Sequence, residues 1–444
     1  MSTASRVLDR IEATFDNPAV VPNAGLLLVA TLISRLGLEE LINTTVRLGD
    51  REGAVAPGRK LLTLVCAIVA GGTHIDHVDM LRAGATRRVL GFTVMAPSTI
   101  GTFLRAFTFG HLRQLDAVAD RVLQRAWSLG AGPAVGAPVV IDIDSTITEV
   151  HGHHKHGAAY GYTRQLGYHP LIATLAGTGE VLHARMRKGS AGSSRGVVRF
   201  TEELIARVRR AGVTGEVTVR ADSGFWSWKL VDTLNRAGVF WSITVRQTKW
   251  IRAAIATIPE AAWVDIDYTI GGTAQVAECN YSTGQGRKRR TVRLVVRRTR
   301  LVGPQAALFP DWRHHAFITN TGLDTTEADR FHRNHAVVEL AIRELKGGAG
   351  LEHCPSGHFF ANGAWLAAAV LAHNLLRWTD QLGDPAPDRP RWNHHTMRTR
   401  LISLAATLVN RSRQLTLRLP ENWPWADRFT ATLTALRALP APSG

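Results

Sequence analysis

Apolar residues recur at helical spacing through the first third of the chain. They lie three and four positions apart in residues 26–42 (LLLVATLISRLGLEELI) and again in residues 60–72 (KLLTLVCAIVAGG). This spacing puts them on one face and predicts amphipathic helices. Two more helices are predicted over residues 97–127, with Ser98 or Thr99 as the N-cap of the first.

The pattern changes after a glycine- and proline-rich linker at 130–138. The β-branched run at 138–147 (PVVIDIDSTI) predicts a buried strand, and residues 169–187 predict a hairpin that turns at Gly177-Thr178-Gly179. The segments that follow alternate between helix and strand: a helix at 196–211, a strand at 215–222, a helix at 226–237 and a strand at 239–246. Three strands followed by helix, strand, helix and strand is the order expected of an RNase H-like core.

Residues 250–316 interrupt this alternation. They contain strands of alternating polar and apolar residues separated by glycine turns, which predicts a β-rich insertion into the core. Residues 323–348 then predict a long helix, which Asp324 or Thr325 caps and Gly347-Gly348 ends.

These elements together predict an α/β protein with an RNase H-like mixed sheet. The predicted units are an N-terminal helical domain at 1–132, a core in two parts at 138–249 and 317–380, the β-rich insertion at 250–316, and a mostly helical C-terminal region at 381–444.

The charge of the chain points to a polyanionic partner. Lys and Arg number 53 against 36 Asp and Glu, a formal net charge of +17, and the sequence pI is near 10.8. An excess of this size is typical of proteins that bind nucleic acid. A basic bias of the whole proteome would account for part of it.

The spacing of the cysteines and the hydropathy of the chain exclude further classes of protein. Cys66, Cys279 and Cys354 are too far apart for a CxxC-type zinc site or a disulfide framework. The first residues lack the basic-then-apolar pattern of a signal peptide. The most apolar stretch, 361–376, carries three polar residues and favours a buried helix at 363–380 over a membrane span. We therefore expect a cytoplasmic protein that does not bind membranes.

Two of the predicted strands end in aspartates. Asp142 and Asp144 lie two positions apart in the first strand of the core and so share one face of it. Asp222 ends the strand at 215–222. Because the carboxyl ends of adjacent strands converge on one crevice, these side chains predict a site. The alternative is that Asp144 and Asp222 cap the turns that follow them, a role that is compatible with metal binding.

A polar stripe marks the helix predicted at 323–348. Its members follow spacings of three, four, four and three and therefore share one face: His332, His335, Glu339, Arg343 and Lys346. The stripe distinguishes Glu339 from an ordinary exposed glutamate, and from Glu344, which lies off it.

The carboxylates of Asp144, Asp222 and Glu339 predict a divalent-metal site, with Asp142 as an additional candidate ligand. Oxygen ligands suit Mg²⁺, or Mn²⁺ in its place. Two such ions in one site activate the attacking oxygen and stabilise the leaving oxygen of a phosphoryl displacement. A basic protein with this site is expected to act on a nucleic-acid backbone.

Basic residues cluster in further segments. In residues 286–300 (GRKRRTVRLVVRRTR) we expect phosphate contacts, not only a solvated sheet face, from Arg287, Lys288, Arg289, Arg290, Arg297 and Arg298. Lys188 and Arg195, in a glycine-rich segment, are expected to act in the same way. The four histidines of 151–157 (HGHHKHG) predict a basic loop that contacts flanking DNA near the active site. A transition-metal site is the alternative there, but no cysteine or acid completes it at a typical spacing.

Several motifs resemble those of bacterial insertion-sequence transposases of the DDE class. They are VIDIDST, VRADSGFW and HRNHAVVELAIRELKGG, followed by EHCPSGHFFANGAWLAAAVLAHNLLRW. Within that class they are similar to the thirteen-eighty insertion-sequence family, over roughly 40–430 and most densely over 138–380. The resemblance implies an RNase H-like catalytic core with a β-insertion before the last acid. It also implies transposition of a DNA element that has a terminal inverted repeat at each end.

By motif, the resemblance implies that Asp144, in Asp-Ser-Thr, is the first catalytic acid, Asp222 the second and Glu339 the third. The family's wider signature places a Tyr, an Arg, the Glu and a Lys at fixed spacing on this last helix.

Aligned on the glutamate, Lys346 fits the lysine of that signature, whereas His332 and His335 stand where Tyr and Arg are expected. We expect Lys346 to contact a DNA phosphate beside the scissile bond, with Arg343 nearby. The two histidines are expected to donate to phosphate oxygens when protonated, which would make DNA binding pH-sensitive.

The sequence thus predicts a transposase that uses two Mg²⁺ ions to cleave DNA and to transfer the strand. We expect it to act as a homodimer that binds double-stranded DNA, both the terminal inverted repeats and the target DNA. The N-terminal helices would bind the ends or form the dimer contact. Two other classes remain open: an RNase H-like nuclease or resolvase without strand transfer, and a DNA-binding repressor with decayed catalysis. Glycoside hydrolysis by two carboxylates fits a chain of charge +17 poorly.

Overall fold

A large mixed β-sheet forms the centre of the fold. The computed structural model describes residues 8–442, apart from 153, 162–163, 269–271, 287–288, 302–311, 385, 387–390 and 413. The strands of these residues are, in chain order, β1 (Val20–Val21), β2 (Val139–Ser145), β3 (Thr148–Glu149), β4 (Ala159–Tyr160), β5 (Leu166–Tyr168), β6 (Leu171–Leu175), β7 (Val181–Arg185), β8 (Val217–Ala221), β9 (Phe240–Val245), β10 (Val264–Ile266), β11 (Gly272–Thr283), β12 (Arg290–Leu301), β13 (Arg313–Thr319), β14 (Ala406–Arg411) and β15 (Gln414–Arg418). Within the described part of the chain, nine of them form one sheet in the order β10-β11-β12-β13-β9-β8-β2-β6-β7.

Helices cover this sheet and build a body beside it. The α-helices of the described residues are α1 (Leu26–Arg35), α2 (Leu38–Thr45), α3 (Pro57–Val69), α4 (Thr86–Leu90), α5 (Pro97–Arg105), α6 (Phe109–Ala126), α7 (Val197–Arg210), α8 (Trp228–Arg236), α9 (Lys249–Ala256), α10 (Thr325–Arg333), α11 (Val337–Arg343), α12 (Phe359–Gly383), α13 (His394–Met397) and α14 (Ala426–Ala438). Shorter 3₁₀ turns lie at Ile75–Arg82, Ser223–Phe225, Glu260–Ala262 and Asn334–Ala336, and π-helical segments at Trp127–Ala131, Glu344–Gly348 and Arg398–Ile402.

The centre of the sheet is parallel. β2 pairs with β8 and β8 with β9 in parallel register, whereas β6 and β7 continue the sheet antiparallel on the other side of β2. Strands of this kind are covered on both faces, which explains the β-branched composition of β2 and β8. The β6–β7 hairpin turns through Gly177 and Gly179, whose positive φ angles glycine adopts without strain. The strands and helices predicted from β2 to β9 occur in the predicted order, but the short strands β3, β4 and β5 between β2 and β6, which form a small sheet of their own, were not predicted.

The strands of the predicted insertion extend the same sheet. β11 and β12 form a long antiparallel hairpin, β12 pairs with β13, and β13 pairs with β9. A free sheet edge would leave backbone donors and acceptors exposed for unwanted pairing, and continuity with the core avoids one such edge. The insertion is therefore part of the core sheet and not a separate body.

The helical region predicted at 1–132 is completed by the other end of the chain. β1 pairs with β14, and α14 packs on α1 and on α12. α12 runs through the middle of this body, against α3, α5 and α6. By length and composition α12 could span a membrane, but 78% of its most apolar window is buried inside the protein. The prediction of a buried helix here is confirmed.

The start of α5 differs from the prediction. Neither Ser98 nor Thr99 caps it, because the helix begins one position earlier, at Pro97, with Ala96 in the N-cap position. Proline suits the first helical position, since its φ is already helical and it has no N–H that a cap would need to satisfy.

The long helix predicted at 323–348 is interrupted. Asp324, one of the two predicted caps, accepts a hydrogen bond from the Glu327 amide at 2.8 Å. α10 then passes through a 3₁₀ turn into α11, which ends in a π-helical segment. Such interruptions often mark functional or strained positions, and this one lies where helix side chains hydrogen-bond to the sheet.

A buried carboxylate ties the sheet to the helical body. Glu180, just before β7, is fully buried, and its two oxygens accept hydrogen bonds from the indole N–H groups of Trp127 and Trp378. Burial raises the pKa of Glu180 to about 7 in spite of these hydrogen bonds.

We expect Glu180→Gln to lower the free energy of unfolding by about 1–3 kcal/mol, because the glutamine amide nitrogen would face one indole N–H and leave it unsatisfied. Glu202→Gln, at an exposed position of α7, is the matched control and should leave stability unchanged. Urea unfolding followed by circular dichroism measures both variants. Equal stability of the two variants would contradict this anchoring role.

Candidate active site

Asp144 and Asp222 lie side by side at the ends of neighbouring parallel strands. In the register of β2 with β8, Ile143 pairs with Ala221, so the next position brings Asp144 beside Asp222. Each aspartate accepts a hydrogen bond from the amide of the following serine, at 2.6 Å for Asp144 and 2.5 Å for Asp222. The capping role considered from the sequence is therefore present, and it fixes both carboxylates at the same edge of the sheet.

α11 brings Glu339 to this edge. The helix packs against β2 and β6, and a shallow cleft forms between them. Its lining residues come from the turn after β2 and from the helix and its extension: Asp144, Ser145, Thr146, Glu339, Ile342, Arg343, Lys346 and Glu352. Burial raises the pKa of Asp144 to about 6, with Asp222 and Glu339 adding to the shift and the Ser145 amide and His335 opposing it. The three predicted acids therefore lie close enough to interact electrostatically.

Two basic residues of the predicted stripe remain at the cleft. Arg343 is exposed, and the Lys346 ammonium donates to the Ile147 carbonyl at 3.1 Å. That contact holds the lysine beside the turn that carries Asp144. Both positive charges thus border the acidic cluster.

Asp142 has a different role from the metal ligand that was considered for it. It is 1% exposed, and its two oxygens accept hydrogen bonds from Arg220 Nε and Nη2 at 2.7 and 2.8 Å. His335 Nδ1 donates to the same carboxylate at 2.8 Å. Because both oxygens are occupied and the group is closed off from the cleft, we correct Asp142 to a structural ion-pair partner.

The expectation that His332 donates to phosphate is corrected as well, and for His335 one of the two ring nitrogens is already engaged. His332 is 4% exposed, and its two ring nitrogens hydrogen-bond with Ser242 Oγ at 2.7 Å and Thr244 Oγ1 at 2.9 Å. Burial lowers its pKa well below the ordinary value, so the ring is neutral. His335 is committed to Asp142. The first half of the stripe therefore faces the sheet, since the polar side chains of the sheet supply its partners.

Arg297 and Arg298 are also engaged inside the protein. Arg297 pairs with Asp329 at 2.9 Å. Arg298, 6% exposed, pairs with Glu260 and lies between the rings of two tryptophans, Trp263 and Trp312, at 4.3 and 4.5 Å. Neighbouring strand residues point to opposite faces, and both faces are covered here. The two arginines thus stabilise the sheet, and their expected phosphate contacts are corrected.

The other predicted DNA-binding residues lie on the surface where the structure describes them. Lys188, Arg195 and Arg289 are exposed, and Arg290 is exposed but pairs with Asp232 at 2.9 Å. Arg287 and Lys288 lie outside the described residues.

The predicted histidine loop at 151–157 packs beside the cleft. The His156 amide donates to the Gly357 carbonyl at 2.9 Å, and the Lys155 ammonium donates to the Cys354 carbonyl. The loop therefore lies on the segment that follows Glu352 of the cleft. Among its described residues no group of metal-type ligands converges, and His153 lies outside them.

Two residues of the site had no signal in the sequence. Glu352, exposed at the cleft, comes from the irregular segment after the π-helical turn. His169 is buried, and its ring joins Ser145 Oγ at 2.9 Å to the Ala191 carbonyl at 2.7 Å. Neither belongs to a periodic pattern, so only tertiary packing reveals them.

The family model described as "Transposase DDE domain group 1" matches residues 5–441. Among solved structures, the chain is similar to the "Cryo-EM structure of piggyBac transposase synaptic complex with hairpin DNA", at 14% identity and a TM-score of 0.44, covering 86% of this chain and 79% of that one. A search of curated proteins finds no match.

Stabilisation by a divalent metal should depend on the ionisation of Asp144. Its pKa of about 6 in the folded protein lies above the ordinary 3.8. The protonated carboxyl therefore stabilises the fold fully below the ordinary value, and this contribution is lost as the pH rises through about 6. Because Mg²⁺ competes with that proton, it should raise the melting temperature more at about pH 7.5 than at about pH 5.

Differential scanning fluorimetry with and without Mg²⁺ tests this at both pH values. Asp144→Asn, which keeps the shape and removes the titrating group, should lose most of the Mg²⁺-dependent shift. An equal shift for the parent protein at both pH values would refute the prediction.

Arg220→Met should destabilise the protein by about 3–5 kcal/mol, because it leaves Asp142 as an uncompensated buried charge. The double variant Asp142→Leu with Arg220→Met removes both charges and should recover much of that loss. Arg290→Met breaks an exposed pair instead and should cost at most about 1 kcal/mol. Chemical denaturation compares the three, and a similar loss from Arg220→Met and Arg290→Met would rule out the role of the buried pair.

Proposed function

This chain belongs to the DDE transposase family of domain group 1, and from that premise we propose that it cuts DNA at the ends of an insertion sequence and transfers the freed strands to target DNA. The observation that carries the proposal is that Asp144 and Glu339 line one cleft, with Asp222 at the neighbouring strand end and close enough to act on the pKa of Asp144. The thirteen-eighty insertion-sequence group and a bacterial cytoplasmic setting belong to the proposal too, on the motifs of the sequence.

We further propose that the core is RNase H-like. The order β7-β6-β2-β8-β9 supports this, with an antiparallel first half and a parallel second half. In this arrangement the first and second acids occupy neighbouring strand ends, and the third acid comes from a helix after the inserted strands.

The donor set fits divalent cations. Three carboxylates supply the hard oxygen ligands that Mg²⁺ and Mn²⁺ prefer. Burial raises the pKa of Asp144, and repulsion from Asp222 and Glu339 adds to the shift; a cation would relieve that repulsion. When bound, a pair of such ions supplies activation of the attacking oxygen and charge stabilisation of the leaving oxygen.

Residues of the chain itself orient the acids and hold the phosphate. The amides of Ser145 and Ser223 orient the two aspartates. Lys346 and Arg343 border the acids, where they would fix the phosphate beside the scissile bond.

The DNA backbone outside the cleft would run over exposed basic residues. Lys188, Arg195 and Arg289 are exposed and would contact its phosphates. Contacts of this kind position DNA without regard to its sequence. Binding of the two element ends by a homodimer is part of the proposal.

A supercoiled donor plasmid that carries the inverted repeats flanking the gene tests the function. With Mg²⁺ we expect strand cleavage at the repeat ends and joined products in a target plasmid. Loss of a residue that only hydrogen-bonds to a metal ligand typically lowers activity roughly 10–100-fold. Asp144→Asn, Asp222→Asn and Glu339→Gln change the proposed ligands themselves and should each reduce cleavage by more than that. End binding in a mobility-shift assay should persist. Glu202→Gln, away from the cleft, is the activity control.

The two alternative classes give different results in the same assay. Cleavage without joined products would identify a nuclease or resolvase. Binding of the ends without cleavage by the parent protein would identify a repressor, and either outcome overturns the proposal.

A further inference from the structure

A second group of metal-type side chains lies outside the acidic cleft. Glu344 begins the π-helical segment after α11, His373 lies in the middle of α12, and His394 begins α13. One ligand atom from each comes within 4.8 Å of the others. His373 and His394 are 0% and 1% exposed, so neither ring is in contact with bulk solvent.

Several histidine nitrogens of this group lack a well-formed hydrogen bond. His373 Nε2 donates to the Gly179 carbonyl at 2.8 Å, which leaves the lone pair on Nδ1, and that atom has no hydrogen-bond partner. Neither ring nitrogen of His394 has a hydrogen bond of good geometry, although the His373 carbonyl lies close enough to raise its pKa slightly against the larger effect of burial, and its Nε2 lies 3.8 Å from Glu344 Oε2. Because buried polar atoms are nearly always satisfied, the free lone pairs of these two rings are suited to a ligand.

The backbone is shaped to admit His394 to the group. A Cβ atom on Gly348 would lie 2.9 Å from His394 Nδ1, so any larger residue would push the ring away. The hydrogen bond from His373 to a backbone carbonyl is the usual outer support of a metal-binding imidazole, since it fixes the ring and its tautomer.

Two arginines near the group favour an alternative role for it, as part of a network of ion pairs. Arg377 donates to Glu344 Oε2, and Arg398 donates to the Gly348 carbonyl. A network of ion pairs would need nothing more than these contacts. It would not account for the orphaned imidazole nitrogens, however, because neither guanidinium can accept a hydrogen bond or donate to them in the observed arrangement.

A second cluster in the same protein shows what such a network looks like. Asp116, His183 and Glu203 also converge. Their two carboxylates are surrounded by guanidiniums of Arg113, Arg185, Arg199 and Arg207. His183 itself lies 3.3 Å from each carboxylate. His183 Nδ1 also lacks a hydrogen bond of good geometry, but it lies against the Asp116 carboxylate, so this cluster is neutralised from within and serves as the internal control.

We propose that Glu344, His373 and His394 bind one Zn²⁺ ion, with water as a fourth ligand. Two imidazole nitrogens and one carboxylate oxygen form a donor set that zinc takes in proteins. The ion would join the end of the Glu339 helix to α12 and α13, outside the residues that line the carboxylate cleft. The inference does not depend on the proposed reaction.

Zinc content of the full-length protein tests the proposal. The protein is stripped with a chelator, reloaded with Zn²⁺ and passed through gel filtration, and its metal is measured by mass spectrometry. We expect one equivalent of zinc and a higher melting temperature than for the stripped protein. His394→Gln and His373→Gln should each weaken zinc binding by at least about tenfold in competition with a chromogenic chelator.

Matched variants locate the ion. Asp144→Asn and His183→Gln should retain the full equivalent of zinc, because they lie in the carboxylate cleft and in the arginine-filled cluster. Loss of zinc from His154→Gln or His156→Gln, with retention in His394→Gln, would assign the metal to the histidine loop and overturn the proposal. A parent protein that binds no zinc would overturn it as well and leave an ion-pair network.

A measurement on the parent protein covers the case in which a variant fails to fold. Cobalt in place of zinc should give the intense visible absorption of a four-coordinate site, and the weak spectrum of hydrated cobalt would contradict the proposal. Since no DNA is used, failure of the transposition assay and failure of this one are separate outcomes.

Discussion

The buried ion pair between Asp142 and Arg220 holds together the elements that build the cleft. Asp142 lies two residues before Asp144 in β2, and Arg220 lies two residues before Asp222 in β8, so the pair clamps the two strands just below their converging ends. Arg220 also donates to the Phe331 carbonyl at 2.6 Å. α10 and the 3₁₀ turn that leads into the Glu339 helix are therefore fixed to the same pair, through that carbonyl and through His335.

This arrangement explains why a polar layer separates the helix from the sheet. Burying charges is costly unless each is paired and hydrogen-bonded, and a fully satisfied polar network has few alternative arrangements. His332 stacks on Phe317 at 4.1 Å while bonding two hydroxyls of β9. An apolar interface would tolerate sliding of the helix by part of a turn. A network of matched donors and acceptors does not, and the position of Glu339 relative to the aspartates depends on that register.

The positive charge of the protein is divided between two uses. Part of it lies inside, where Arg207, Arg220 and Arg297 neutralise buried or half-buried carboxylates and the buried Arg298 packs on tryptophan rings. The rest stays on the surface and at the cleft, beside three acids that repel one another. A net charge of +17 therefore indicates a polyanionic partner, but it does not show which arginines meet that partner.

The sequence by itself determined the order of strands and helices in the core, the two aspartates at strand ends and the face of the helix that carries Glu339. These follow from local periodicity, because spacing along a strand or helix decides which side chains share a face. Only the tertiary structure decided what each face meets. Asp142 and His332 have the same local pattern as their neighbours, yet packing buries Asp142 against Arg220 and His332 against β9 and leaves Asp144 and Glu339 at the cleft. Glu352, His169 and the pairing of the inserted strands with β9 depend on contacts between distant segments, which no local pattern encodes.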